Sequence, residues 1–490
     1  MSKITSATVR MYRMGTGDCF IVKFYAGKEE KYKMMIDCGT WKGSKDHLEP
    51  YVVDLKAYVN NHVDLLVITH EHKDHVYVFE ACKELFTKDF KVDKVWMGWT
   101  ENDKTKKVKD WQEEHGQKKM ALALASQKLQ GILTDPAYRE QLKTEYNGLS
   151  LLESQTSFAG ALDDFNALHN SAVAGQYVGG LKGMEIVKKT IGKNNIEYFR
   201  QGDIINDIPQ LNGINFYVLG PPNTWEEAKK EAGGKGESYQ NNSKANEMDA
   251  FAAAVLADTG LNNDALFPFD DSFVSNDPAS ISSAAYNSAN NQWRRIDVEW
   301  LNSSANLALR VNSITNNLSL VLAIEFEDSG RVMLFPGDAE YGSWESWHKI
   351  DWKVQCRNKK PHFTHDLLSR TVFYKVAHHL SHNGTADRLG MSMMDHKDLA
   401  AMATLDYNVI APGWTGTMPN GALLKQLLKQ TKGRLIVMSP DELYYDHPED
   451  TIPLNDQVKK ERKKMNAKEL KEFKTNFTEH PLFFEYAIKG

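Results

Sequence analysis

The sequence predicts an α/β fold, because strand-like and helix-like segments alternate along the chain. The clearest strand is the continuous apolar run DLLVI at residues 64–68, which is typical of a strand buried on both faces of a sheet. Residues 52–62 before it and 76–88 after it are predicted to be helices. Further β-rich runs follow residue 213, so two strand-rich regions should build the fold.

Three strands are predicted before the first helix, at residues 7–15, 19–27 and 31–39. The turn sequence Gly15-Thr16-Gly17-Asp18 separates the first two of them. Another strand is expected at residues 94–99, which completes the first alternating region.

The rest of the chain divides by composition. Residues 101–205 are helix-forming and mostly polar outside their apolar stripes, which indicates a helical insertion or cap between the two halves of one sandwich, 1–100 and 206–445. The second half carries a long loop insertion at 225–310, and the segment 446–490 should form a charged helix (458–475) and a strand. The strands predicted in the second half are 213–223, 307–326, 331–340, 371–379, 406–413 and 434–440.

Composition excludes several classes of protein. The chain has 490 residues, of which 41% are hydrophobic, an ordinary globular mixture that argues against disorder. No apolar run approaches the roughly 18 residues of a spanning helix, and the first residues lack the apolar core of a secretory signal. With only four cysteines, we expect reduced thiols and a cytoplasmic protein that does not associate with a membrane. The net charge of −6 does not mark a nucleic-acid binder, although a local basic groove is compatible with it.

The segment Thr69–His75 carries the candidate chemistry, because His70, His72, Asp74 and His75 follow a buried strand within one short loop. Residues two apart in an extended loop point the same way, so His70 and His72 can close on one ion. Asp74 and His75 come together where the loop tightens into the following helix. Imidazole and carboxylate groups without cysteine suit Zn²⁺, Mn²⁺ or Fe²⁺.

This HxHxDH pattern resembles the signature of the metallo-β-lactamase-fold hydrolase superfamily. The resemblance implies a four-layer αββα sandwich with a helical insertion, and one or two divalent ions, Zn²⁺ or Mn²⁺. It also implies that Asp37 (in MMIDCG) supports the segment Thr69–His75, here called the metal loop, by contacting the metal ligands rather than the metal. Asp338 (in LFPGD) would bridge two metals. The pair His378-His379 is similar to the last histidine motif, and either ring could be the ligand.

Within the superfamily, the chain is similar to the hydrolase domain of the bacterial DNA-uptake channel ComEC and its free-standing relatives. The similar segments are GTGDCFIV (15–22), NNLSLVL (316–322), LFPGD (334–338) and KVAHHLSHNG (375–384). The resemblance covers about residues 5–100 and 213–440.

Two departures from the superfamily pattern bear on the metals. Its usual third histidine has no counterpart, since only His115 and His169 lie in that interval, both within the helical insertion. The expected strand turn carries Asn316-Asn317 instead, and Asn317 is taken as a second-shell group. One metal site is therefore short of a ligand, which is compatible with a single ion or with a weakly filled pair.

These features predict a metallohydrolase that uses a metal-activated water, with a phosphodiesterase or nuclease favoured. Asp74, His379 and His382 are the candidate catalytic residues, His382 as a group acting on the leaving group. Lysines at 104–109 and 459–464 could line a nucleic-acid groove, and Trp96, Trp99 and Trp111 could stack bases, although burial is the commoner fate of tryptophan.

Two other hypotheses stay open. In one, the substrate is a small ester or nucleotide signal in a pocket closed by the insertions. In the other, the chain binds a protein partner as the effector or regulatory subunit of a bacterial multi-protein defence system, with a conditional or vestigial site. The sequence does not indicate an oligomeric state.

Overall fold

Fifteen strands form two mixed sheets in the computed structural model, which describes residues 2–136, 159–160, 162, 166, 181–230, 299–410, 418–438 and 454–490. The strands are β1 (Ser6–Tyr12), β2 (Phe20–Ala26), β3 (Glu29–Ile36), β4 (His62–Val67), β5 (Lys91–Gly98), β6 (Ile196–Phe199), β7 (Ile204–Ile205), β8 (Ile214–Gly220), β9 (Val321–Phe326), β10 (Val332–Phe335), β11 (Thr371–Lys375), β12 (Ala400–Ala403), β13 (Leu435–Val437), β14 (Phe477–His480) and β15 (Phe483–Lys489). The prediction of an α/β class is confirmed.

The first sheet has the strand order β14-β15-β1-β2-β3-β4-β5-β6, and the second has the order β13-β12-β11-β10-β9-β8-β7. In the first sheet, β3, β4, β5 and β6 are mutually parallel, whereas β1 pairs antiparallel with both β2 and β15. In the second sheet, β10 to β13 are parallel and β9 is antiparallel to β8 and β10. Each sheet therefore has a parallel portion whose strand ends share one edge.

The helices are α1 (Lys45–Tyr58), α2 (Lys73–Ala81), α3 (Lys83–Thr87), α4 (Lys106–Thr134), α5 (Leu181–Ile186), α6 (Trp225–Ala228), α7 (Glu299–Asn317), α8 (Tyr341–Trp347), α9 (Phe363–Ser369), α10 (Gly421–Gln430), α11 (Leu454–Arg462) and α12 (Ala467–Asn476). In the described part of the chain, none of them is long and apolar enough to cross a membrane.

The main core lies between the two sheets. Phe20 of β2 meets Phe335 of β10 there, with ring centroids 6.2 Å apart. The outer face of the first sheet packs on α1 and α2, since Ile21 and Leu66 share one buried cluster with Val52 of α1 and Phe79 of α2. The outer face of the second sheet is covered in the same way by α8, α9 and α10. The order of layers is thus helices, sheet, sheet, helices.

The prediction of a strand over 307–326 is wrong in its first part, because residues 299–317 form α7 and only 321–326 form a strand. Leu307, Val311, Ile314 and Leu318 are spaced by three or four residues and are all buried, so the segment follows a helical period rather than an alternating one.

The strand predicted at 406–413 is also wrong. Residues Tyr407–Val409 form a 3₁₀ turn, residues 411–417 lie outside the described ones, and the strand is β12 at Ala400–Ala403. The alanine-rich sequence AAMA has little β propensity of its own. It becomes a strand because β11 and β13 pair with it on both sides.

The connecting regions differ in detail from their predictions. The helix expected at 76–88 is two helices that meet at Cys82, and the charged helix at 458–475 is α11 and α12, separated by residues 463–466. Of the insertion at 101–205, the structure describes α4, α5 and β6, and most residues between 137 and 180 lie outside the described ones. Of the loop insertion at 225–310, residues 231–298 lie outside them. The segment 446–490 contributes two strands, and β15 joins the first sheet beside β1.

Candidate metal centre

Residues from both sheets meet where the parallel strands end. In the first sheet, Asp37 follows β3 and the metal loop follows β4. In the second sheet, Asp338 comes shortly after β10, and His379 comes shortly after β11. The carboxyl ends of parallel strands share one edge of a sheet, and packing the two sheets together brings these two edges into contact.

Four residues form the centre of this cluster: Asp74, His75, Asp338 and His379. One ligand atom from each lies within 4.8 Å of the others, and all four side chains are buried. Asp338 Oδ2 lies 3.1 Å from His75 Nε2 and 3.1 Å from His379 Nε2, and His379 Nε2 also lies 3.1 Å from Asp74 Oδ2. Two ring nitrogens and two carboxylates therefore converge on one point.

Asp37 orients the metal loop. Its Oδ1 accepts from the backbone N–H of Thr69 at 2.8 Å, and its Oδ2 lies 2.7 Å from His75 Nδ1. With Nδ1 turned to Asp37, the Nε2 atom of His75 faces the cluster.

The cluster has the chemistry of a cation site. Asp74 Oδ1 and His75 Nε2 make no hydrogen bond of ordinary geometry within the described part of the chain, although buried polar atoms usually do. Two imidazole nitrogens and two carboxylate oxygens are a donor set for Zn²⁺, Mn²⁺ or Fe²⁺. The four residues could thus hold a metal ion.

The histidine rings and carboxylates of this cluster shift each other's pKa values. Burial alone would raise the pKa of Asp338, but His379, Lys375 and His75 bring it well below its ordinary value. Burial alone would lower the pKa of His379, but Asp338 and Asp74 raise it to about 9. The pKa of His75 is raised well above its usual value for a similar reason, with Asp338 and Asp37 outweighing burial. The neighbouring carboxylates thus favour the protonated form of both rings.

Lys375 places a fixed positive charge beside the cluster. Its Nζ lies 3.0 Å from Asp338 Oδ1 and 2.6 Å from Asp18 Oδ2, and it donates to the Gly337 carbonyl at 2.8 Å. Burial would lower the pKa of Lys375, but Asp18 and Asp338 outweigh it and raise the pKa. One oxygen of Asp338 is thus engaged by lysine, and the other faces the histidines.

An unusual turn presents the two adjacent histidines. His378, His379 and Leu380 have φ values of 46°, 49° and 67°, a left-handed conformation that is uncommon for residues other than glycine. Three such residues in a row carry backbone strain, which occurs mainly at functional sites. The Nδ1 atom of His379 is held by Thr404 Oγ1 at 2.8 Å, which leaves its Nε2 facing Asp338.

His70 and His72 lie next to the cluster and contact each other, with 2.9 Å between His70 Nε2 and His72 Nδ1. The His70 ring centroid is 4.1 Å from that of His75, and Ser319 Oγ is 3.3 Å from His70 Nδ1. Burial lowers the pKa of His70 well below its ordinary value, which favours the neutral ring. The two rings thus form a pair at one side of the cluster.

The remaining predicted residues have different surroundings. The side-chain oxygen Oδ1 of Asn317 accepts from the backbone N–H groups of Glu340 and Ser343 at the start of α8, so this residue caps a helix. Its neighbour Asn316 instead lies beside His378, with 3.4 Å between Asn316 Nδ2 and His378 Nε2. His382 is partly buried, three residues beyond His379.

Sequence reasoning assigned no role to three buried residues of this region, namely Asp18, Glu340 and Lys375. Asp18 and Lys375 lie in the segments GTGDCFIV and KVAHHLSHNG, and Glu340 is two residues after Asp338. A lysine at the end of an otherwise apolar strand and a charged residue two positions after LFPGD were the available signals. Their partners are distant in sequence, so the contacts could not be predicted.

Comparison with protein-family models and with curated proteins finds no match to this chain.

Proposed function

We propose that this protein is a metal-dependent hydrolase of the metallo-β-lactamase-fold type that cleaves phosphodiesters, with nucleic acid as the favoured substrate. The observation that carries the proposal is the buried convergence of Asp74, His75, Asp338 and His379 from two sheets. The four layers of helices, sheet, sheet and helices support the αββα sandwich that the HxHxDH resemblance implies.

The residues of the centre and their neighbours would have distinct roles. Asp74, His75, Asp338 and His379 would hold a divalent ion, which supplies Lewis acidity and a water-derived nucleophile at neutral pH. Asp37 fixes the orientation of His75 through its Nδ1 atom, and Thr404 does the same for His379. Asp74 Oδ1, which makes no hydrogen bond of ordinary geometry to the described residues, is the group placed to orient an attacking water.

The surface gives mixed support for nucleic acid. Exposed lysines lie just before α4 and in its first turn, and others lie on α11: Lys104, Lys106, Lys107 and Lys109 in the first group, and Lys459 and Lys460 in the second. Such lysines can neutralise phosphates. Trp96, Trp99 and Trp111 are at most 9% exposed, so they belong to the core rather than to a base-stacking surface.

A second candidate is a small phosphodiester or ester. The four residues that would hold the ion are at most 6% exposed, and Lys119 of α4 forms an ion pair with Glu71 within the metal loop. A centre covered in this way favours a substrate that enters a narrow pocket.

Turnover of bis(p-nitrophenyl) phosphate with Mn²⁺ or Zn²⁺ tests the proposal. We expect wild-type turnover and a loss of at least about 100-fold in Asp74→Asn, because removing one catalytic group usually costs that much or more. His47→Asn, at an exposed position on α1, is the matched control and should keep full activity.

Equal turnover by wild type and Asp74→Asn would place the activity elsewhere and refute the proposal. Turnover of the generic ester p-nitrophenyl acetate but not of the phosphodiester, lost again in Asp74→Asn, would favour the ester branch of the second candidate.

A further inference from the structure

A second buried polar cluster lies beside the metal centre, formed by Asn316, Glu340 and His378. Their exposed fractions are 0%, 0% and 5%. Asn316 comes from the last turn of α7, Glu340 precedes α8, and His378 belongs to the left-handed turn after β11. The proposed roles of Asp74, His75, Asp338 and His379 leave these three side chains unused.

The contacts within the cluster define which atoms are free to accept. Asn316 Nδ2 donates to Glu340 Oε1 at 2.7 Å. His378 Nδ1 lies 3.3 Å from the same Glu340 oxygen and 3.2 Å from Asn383 Oδ1, so Nδ1 carries the hydrogen. The Nε2 atom of His378 therefore has a lone pair, and its only contact in the described residues is the long one of 3.4 Å to Asn316 Nδ2.

Two acceptors of the cluster are unsatisfied. Asn316 Oδ1 and Glu340 Oε2 make no hydrogen bond of ordinary geometry to any described residue, although the Ser313 side chain lies beside Glu340. Buried acceptors without partners are rare, because each has lost its water without replacement. A group with positive charge or hydrogen-bond donors would complete the cluster.

Charge distinguishes a cation from a neutral donor. The other buried carboxylate of this region, Asp338, has the Lys375 ammonium group 3.0 Å away. Among the described residues, no lysine or arginine lies within 4.0 Å of Glu340, whose ion-pair partner is the His378 ring. A buried carboxylate that lacks a strong counter-charge is costly unless it takes up a proton or a cation reaches it.

We propose that Glu340, Asn316 and His378 bind a second divalent cation, through a carboxylate oxygen, an amide oxygen and the Nε2 nitrogen. Two oxygen ligands and one nitrogen suit a hard ion of the Mn²⁺ or Mg²⁺ type. This site differs from one built on His70 and His72, where the sequence lacks a third histidine. The inference rests on the proposed function only for its catalytic meaning, because cation binding is measured without substrate.

The test counts ions. The full chain is stripped with a chelator and titrated with Mn²⁺, and free Mn²⁺ is followed by electron paramagnetic resonance. We expect two ions per wild-type chain and one in Glu340→Gln, with the affinity of the second site reduced at least ten-fold. Asn316→Asp adds a carboxylate and should keep two ions with the second bound more tightly. Asp338→Asn should lose the other ion, and the control Glu345→Gln, at a partly exposed position on α8, should bind two.

Two outcomes would overturn the second site: a wild-type chain that binds a single ion, or a Glu340→Gln variant that binds two with unchanged affinity. Circular dichroism of each variant shows whether it is folded, and Asn316→Asp tests the site by a gain rather than a loss. Phosphodiester turnover is measured on the same samples. If the wild-type chain binds one ion and turns over the phosphodiester, only the second site is refuted. If it binds two ions and shows no turnover, only the phosphodiesterase proposal is refuted.

Discussion

At the scale of single residues, the centre depends on how buried charges are paired. Asp338 divides its two oxygens between the Lys375 ammonium group and the rings of His75 and His379. Lys375 also holds Asp18, whose other oxygen accepts from Thr404 Oγ1 at 2.6 Å. One lysine thus supports two carboxylates that would otherwise repel each other across the strand ends.

We expect Lys375→Met to lower the free energy of unfolding by about 3–5 kcal/mol, because it leaves two buried carboxylates without their cation. Urea unfolding followed by circular dichroism in the presence of a chelator measures this. Lys349→Met is the control, since that lysine pairs with Glu345 on the surface and should cost no more than about 1 kcal/mol. Equal stability of Lys375→Met and wild type would contradict the pairing.

His115 is a second residue whose burial has a measurable consequence. It is 5% exposed, stacks on Trp111 and lies 3.0 Å from Thr315 Oγ1, and Lys119, Lys118 and Lys229 are the charged groups near it. Burial and then these lysines lower its pKa well below the ordinary value. Its contribution to stability is therefore present above pH 6.5, roughly the unfolded-state pKa, and is lost as the pH falls below that.

The difference in unfolding free energy between wild type and His115→Gln should depend on pH. We expect it to shift against the wild type by up to about 1.4 kcal/mol for each pH unit below 6.5, because glutamine does not take up a proton. Urea midpoints of both proteins between pH 5 and 8 measure the difference. A constant difference across this range would mean that His115 titrates normally in the folded protein.

At the scale of elements, the metal loop is held by close backbone contact. A Cβ atom at Gly39 would lie 2.2 Å from the Asp74 carbonyl carbon, and one at Gly17 would lie 2.6 Å from the Asp74 carbonyl oxygen. The backbone N–H of Asp18 donates to that same oxygen at 2.9 Å, and Cys38 N–H donates to the His75 carbonyl at 2.8 Å. The loops after β1 and β3 thus contact the start of α2, where two of the four candidate ligands lie.

Gly39→Ala should displace this contact. We expect a loss of about 1–3 kcal/mol in the free energy of unfolding, as for other overpacked sites, and weaker Mn²⁺ binding in a titration. Gly116→Ala is the matched control, because nothing lies within 4 Å of a Cβ there and alanine favours the interior of α4, by up to about 1 kcal/mol. Unchanged Mn²⁺ affinity in Gly39→Ala would show that these backbone contacts do not position the candidate ligands.

At the scale of the whole molecule, distant parts of the chain complete each other's sheets. The last strand, β15, pairs with β1 over seven residues, from Ser6 with Lys489 to Tyr12 with Phe483. Phe484, Tyr486 and Ile488 from β15 are buried in the core between the sheets. The strand therefore supplies both hydrogen bonds and apolar surface to the half of the fold that carries the metal loop.

A chain that ends at His480, without β15, should aggregate or lose cooperative unfolding. It would expose the edge of β1 and remove the apolar side chains that cover it. Size-exclusion chromatography and thermal unfolding measure this, with Lys489→Ala in the full chain as the control for a surface change. A monomeric truncated chain with an unchanged midpoint would show that β15 is dispensable.

The local sequence was enough to predict the α/β class, most strands of the first sheet and the presence of Asp74 and His75 in a cluster that could hold a metal ion. These depend on short-range signals, namely buried apolar runs, turn residues and the spacing of histidines. The prediction from local sequence failed at 307–317, where a helical period was mistaken for a strand. It also failed at β12, whose alanines become a strand only between two partner strands.

Only the tertiary structure determined which predicted residues come together and what else lies among them. The contacts of Asp338 with His75, of Lys375 with Asp18 and of Asn316 with His378 join residues far apart in the chain. The local sequence by itself indicated candidate ligands, among them Asp74, His75, Asp338 and His379. The packing of two sheets determined which of them converge, because burial and charge pairing depend on neighbours that no short segment contains.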